Sequence, residues 1–95
     1  MKMLFKVFSF YDAKAEAYMS PFMMHKRGEA IRAFSDAAND PKSFISSHPE
    51  DYFLYEIATF DNATGVYVSL DNKVSVGCAL DFVSSRGTNE DSKGS

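Results

Sequence analysis

Residues 52–70 read Tyr52-Phe53-Leu54-Tyr55-Glu56-Ile57-Ala58-Thr59-Phe60-Asp61-Asn62-Ala63-Thr64-Gly65-Val66-Tyr67-Val68-Ser69-Leu70. The first nine are rich in aromatic and apolar residues, and successive side chains of a strand point to opposite faces. Tyr52, Leu54, Glu56, Ala58 and Phe60 then share one face, and Phe53, Tyr55, Ile57 and Thr59 the other. Asp61 to Gly65 has the composition of a hairpin turn, with Gly65 able to take a positive φ. Val66 to Leu70 returns as the partner strand, so the centre of the predicted fold is an antiparallel hairpin.

Working outward from this hairpin, Met3 to Tyr11 predicts another strand. Met3, Phe5, Val7, Ser9 and Tyr11 fall on one face, and Leu4, Lys6, Phe8 and Phe10 on the other. Both faces are mostly apolar, which suits a central strand or one covered on both sides. After the polar connection 12–17, Tyr18 to Met24 reads as a second extended stretch. Pro21 interrupts it and marks an edge or a bulge. Gly28 to Ala38 predicts a helix, because Ile31, Phe34 and Ala38 recur at helical spacing. Pro41 biases Asp40 away from the helical region and ends it. Residues 42–51 read as a loop, and Lys73 to Val83 as either a short helix or a last strand. The expected class is α+β: an antiparallel sheet of four to five strands with one main helix packed on it. Residues 1–83 form a single domain, and 84–95 read as a disordered polar tail.

Composition narrows the function classes. The chain has 95 residues, nine Phe and five Tyr but no Trp, one cysteine and a net charge of −3. A domain this small has little room for both a core and a deep pocket. The single Cys78 cannot form an internal disulfide, which suits a reducing compartment. No apolar run approaches the ~20 residues that cross a bilayer, so no membrane partner is expected. His25, His48 and Cys78 stand at no ligand spacing, so neither a metal nor a cofactor is expected. No phosphate-binding glycine loop occurs. A Cys–His nucleophile has little support, since catalysis needs partners that a lone His48 lacks. The expectation is a protein with no enzyme activity.

Charge is uneven along the chain. Residues 1–48 carry seven Lys/Arg against five Asp/Glu, whereas residues 49–85 carry one against six. An anionic partner would therefore meet the N-terminal half. That half interleaves basic and aromatic residues: Lys6, Tyr11, Lys14, Tyr18, Phe22, Lys26, Arg27 and Arg32. Single-stranded nucleic acid is held by basic groups that track phosphates and aromatic faces that stack bases. These eight are the candidate nucleic-acid-binding residues. The alternative places Tyr18 and Phe22 in the core and leaves the lysines and arginines as ordinary solvated charges. Met19, Met23 and Met24, around Pro21 and Phe22, offer a further reading. They form an apolar, adaptable edge that could take a partner protein, or a second copy in a homodimer.

The ordered set of segments carries a resemblance. Ser9-x-Tyr11-Asp12-x-Lys14-Ala15-x-Ala17-Tyr18-Met19-x-Pro21-Phe22 is followed by Ala30-Ile31-Arg32-Ala33-Phe34-x-Asp36 and Asn39-Asp40-Pro41. Then come His48-Pro49-Glu50-Asp51-Tyr52, Leu54, Thr59-Phe60-Asp61, Thr64-Gly65 and Gly77-x-Ala79-Leu80-x-Phe82. From about Met3 to Val83 the chain resembles the small non-structural protein of gokushovirus-type phages of the Microviridae. The resemblance implies a DNA-binding protein outside the virion, acting in the host cytoplasm. It would bind viral single-stranded DNA during replication or packaging. It assigns no residue-level role, so the candidate residues rest on charge and aromatic pattern alone.

Overall fold

The computed structural model describes residues 3–84. Strand β1 (Leu4–Asp12) is central; β2 (Ala17–Tyr18) and β3 (Phe22–Met24) pair with one of its edges, and β4 (Tyr52–Asp61) with the other. Strand β5 (Val66–Cys78) pairs with β4, and every pairing is antiparallel. Helix α1 (Arg27–Asn39) follows β3, and a short helix α2 (Phe44–Ser47) follows α1. The expected class, an antiparallel sheet with one main helix, is the class observed. The expected tail falls almost wholly on residues 85–95, outside the described residues.

One face of the sheet packs on α1. Phe8, Leu54 and Tyr52 from the strands meet Ala30, Phe34 and Ala38 from the helix, with Ile45 and Ala79 closing the sides. Burying a side chain such as Phe8, Phe34 or Leu54 contributes roughly 1.5–3 kcal/mol. The rings interlock: Phe34 lies 5.1 Å from Phe10 and 5.8 Å from Phe82, centroid to centroid. Asn39 ties the helix end to the chain that follows the sheet. Its Nδ2 donates to the Phe82 carbonyl at 2.9 Å, and the Ser84 N–H donates to its Oδ1 at 2.6 Å.

Four local expectations change. The extended stretch 18–24 is two short strands rather than one, split around Pro21, which has no N–H to give a ladder. The loop 42–51 contains α2 and a 3-10 turn, Pro49–Asp51. Ser43 Oγ accepts the Ile45 N–H at 3.0 Å and caps α2, which lets Ile45 bury. The ambiguous segment 73–83 divides: β5 runs to Cys78, and a 3-10 turn covers Ala79–Phe82.

The fourth change concerns β4. Val7 pairs with Ala58 while the next residue, Phe8, pairs with Glu56, so Ile57 is an extra residue on β4. Val7 and Phe8 point to opposite faces, and so therefore do Ala58 and Glu56. The expected single row Tyr52, Leu54, Glu56, Ala58, Phe60 is broken. Tyr52, Leu54 and Glu56 face the helix side, whereas Ala58 and Phe60 join Val7 and Phe5 on the other. A larger irregularity follows on β5, where Leu70 to Lys73 stand opposite Ile57 alone.

Candidate nucleic-acid interface

The face of the sheet away from α1 carries a cluster of tyrosines. β1 places Tyr11 on the side opposite Phe8 and Phe10, and β2 sets Tyr18 directly across from Tyr11. β4 sets Tyr55 across from Ser9. The Tyr11 and Tyr18 rings lie 4.7 Å apart, and each lies 5.9 Å from Tyr55, edge-on. Tyr18 is 45% exposed, and Tyr11 and Tyr55 are half-buried. Packing of Tyr18 out of water, then the neighbouring Tyr55 and Tyr11 hydroxyls, push its phenol above the ordinary tyrosine value. Rings so placed offer π-surface and hydroxyls without charge.

The same face is uncharged along the two central strands. Phe5, Val7, Ser9 and Tyr11 on β1, and Phe53 and Tyr55 on β4, include no acid and no base. Lys14 stands in the turn that joins the strand of Tyr11 to that of Tyr18. Asp12 shapes this turn, its Oδ1 accepting the N–H groups of Lys14 and Ala15 at 3.0 and 3.1 Å. The Lys14 side chain is exposed.

The other candidate residues lie elsewhere. Lys6 points to the helix side, and its Nζ is 3.4 Å from Glu56 Oε2. Arg27, the first residue of α1, donates to Glu56 Oε1 from Nε at 3.1 Å and from Nη2 at 2.8 Å. Glu56 is 5% exposed; a carboxylate this buried needs both cations to offset its desolvation. Two of the five candidate cations are thus held by an acid. Lys26 and Arg32 are exposed at the start of α1, where Glu29 Oε1 accepts the His25 and Lys26 N–H groups. Arg32 borders a shallow cleft with Gly28 and Glu29. Phe22 belongs to the core: its ring lies 5.9 Å from Phe8 and 5.3 Å from Phe10, packed against the helix-side cluster.

The eight candidates therefore separate into groups. Tyr11, Lys14 and Tyr18 come together; Lys6 and Arg27 meet at Glu56; Lys26 and Arg32 share the helix start; Phe22 is internal. Tyr55 was missed by sequence reasoning. The signal was present in its alternation against Leu54, but only the β1–β4 register brings it to Tyr11.

The remaining chemistry-bearing residues are peripheral. The Cys78 thiol, half-buried, lies 3.5 Å from the Pro49 carbonyl oxygen. His48, Glu50 and Asp51 hold their ligand atoms within 4.8 Å of one another on the surface of the 3-10 turn. Exposed groups gather in this way without a metal. Among the described residues no helix is long and apolar enough to cross a membrane.

The described residues thus combine a small antiparallel sheet, one main helix on one face and an aromatic cluster on the other. Residues 5–82 match the model of the family described as phage ORF5 protein, and the chain belongs to that family. No curated protein and no solved structure matches the chain.

Proposed function

We propose that this phage protein is a non-catalytic accessory protein that binds single-stranded DNA in the host cytoplasm, during replication or packaging of a microvirus genome. The observation that supports this reading best is the cluster of Tyr11, Tyr18 and Tyr55 on the sheet face opposite α1, where Val7 and Ser9 are buried and the Tyr18 ring is exposed. Unpaired bases stack on such rings, each stacked base contributing ~1–3 kcal/mol, with little sequence preference. A duplex hides its base faces, so single strands are the favoured form. Lys14 supplies a phosphate contact beside the rings. Lys26 and Arg32 lie on the helix side and would engage only a strand that passes the sheet edge.

The alternative, capture of a phage or host protein by the Met19–Met24 edge, has weaker support. Met19 and Met24 pack against the core, and Met23 is the exposed methionine of the three.

The test is fluorescence anisotropy of a labelled single strand longer than ~16 nucleotides, titrated with protein at low and moderate salt beside a duplex control. Binding that favours the single strand is the expected result. No binding at low salt, where electrostatic attraction is strongest, would overturn the proposal.

A further inference from the structure

The outer edge of β5 is treated differently along its length. Val66, Tyr67, Val68 and Ser69 pair with Asp61, Phe60, Thr59 and Ala58 on one side. Their other side meets no strand among the described residues. From Asn62 to Leu70 there is no charged residue and no proline. Val66, Tyr67 and Val68 are 52%, 52% and 54% exposed. An exposed edge of β-branched and aromatic residues is a template for pairing with another chain.

The chain's other edges carry the usual obstacles. Beyond Ser69, the excursion Leu70–Lys73 interrupts the ladder and brings in Asp71 and Lys73. The end of the strand, residues 74–78, runs up to the 3-10 turn Pro49–Asp51, where the Cys78 thiol lies 3.5 Å from the Pro49 carbonyl oxygen. On the far side of the sheet, β2 and β3 are two and three residues long and split by Pro21. Among the described residues this is one unobstructed stretch of edge, and a two-fold axis closes a contact through it at two copies instead of extending it into a fibre.

We propose that residues 66–69 pair antiparallel with the same segment of a second copy, with Tyr67 opposite Tyr67 on the two-fold axis. This register sets Val66 of each copy across from Val68 of the other. It matches β-branched side chains on one face and joins the two tyrosines on the face that carries Phe5 and Phe60. It opposes no like charges. Tyr67 is already positioned by Phe60, at 5.6 Å between ring centroids. An axis perpendicular to the sheet keeps both helices on one side and both tyrosine clusters on the other. The contact is small, below the ~1,200 Å² at which specific interfaces become stable, so association is reversible. The inference does not rest on DNA binding.

The test uses the full chain in sedimentation equilibrium over a wide concentration range. The expected result is a mass that rises toward twice that of the chain. Val68→Lys should hold the mass at one chain, and Val74→Lys, beyond the excursion, should leave the dimer intact. Register is read separately in a Cys78→Ser background. Tyr67→Cys should form a disulfide-linked dimer on mild oxidation, because opposed residues of an antiparallel pair fall within the ~4.4–6.8 Å Cα separation that a disulfide spans. Ser69→Cys, displaced from the axis, should not. A monomer at every concentration, or equal cross-linking of both cysteine variants, would overturn the proposal. DNA binding by an obligate monomer would overturn the dimer and leave the function standing.

Discussion

Arg27 and Glu56 are joined across 29 positions of sequence by two hydrogen bonds from one guanidinium to a single carboxylate oxygen. The pair fixes the first turn of α1 onto the middle of β4, beside the bulge at Ile57. Arg27→Ala leaves Glu56 buried with Lys6 alone. Because the Arg27 and Lys6 side chains are 48% and 41% exposed, solvent screens part of the loss. A destabilisation of ~2 kcal/mol is expected, in the range for hydrogen bonds to charged groups, and urea denaturation measures it. Glu56→Gln, which keeps the shape but leaves two cations without their acid, should lower stability in the same direction.

The same pairing bears on the salt dependence expected of the proposed DNA binding. With Lys6 and Arg27 held by Glu56, the candidate cations left to meet phosphates are Lys14, Lys26 and Arg32. Each phosphate contact on a single strand contributes about −0.7 to the slope of log K against log salt. The expected slope is therefore about −2, measured by anisotropy across a salt series. A slope beyond about −3 would mean that Lys6 and Arg27 leave Glu56 for the DNA.

Tyr18 and Phe22 lie four residues apart and should respond in opposite ways. Tyr18→Ala removes a half-exposed ring and should weaken single-strand binding by ~1–3 kcal/mol, while the lost contacts with Tyr11 and Tyr55 cost about 1 kcal/mol of stability. Phe22→Ala removes a core ring and should cost ~3 kcal/mol of folding stability. Unchanged DNA affinity on Tyr18→Ala, with the fold intact by circular dichroism, would eliminate the tyrosine platform.

This contrast marks how far the sequence could be read. The alternation in β1 correctly separated Tyr11 from Phe8 and Phe10, because β1 is regular and period two holds along it. The same logic failed for Ala58 and Phe60, because a bulge is set by tertiary pairing and leaves no local signature at Ile57. Basic and aromatic residues could be found by type but not sorted. Lys6 and Arg27 looked like phosphate ligands until the buried Glu56 came between them. Phe22 looked like Tyr18 until the β1–β3 register turned its ring toward the helix.

Gly77 offers a check on the β5 end of the core. A Cβ at this position would lie 2.9 Å from the Phe82 ring, and that ring packs on Phe34. Gly77→Ala must push Phe82 aside and should cost ~1–3 kcal/mol, as overpacking does. Thermal melting would show it. Gly77→Ala with Phe82→Leu should recover part of the loss, because the smaller side chain makes room for the methyl group.

Tyr52 gives the fold a defined alkaline limit. Its phenol is raised above the ordinary value of 10.0, first by burial, then by the charge of Asp12 and the hydrogen bond to it, and by the charge of Asp51. The unfolded chain loses this proton near the ordinary value, while the folded chain keeps it to higher pH. Above that point the native state binds more protons than the unfolded state, so stability falls as pH rises. The contribution is fully present below pH 10 and is lost as pH climbs through the raised folded value. Tyr52→Phe removes the ionising group and should flatten the decline of urea midpoint measured from pH 9 upward, while forfeiting the bond to Asp12 at neutral pH. A variant whose alkaline decline matches that of the unmodified chain would show that another group, with Tyr18 the next to consider, sets the limit.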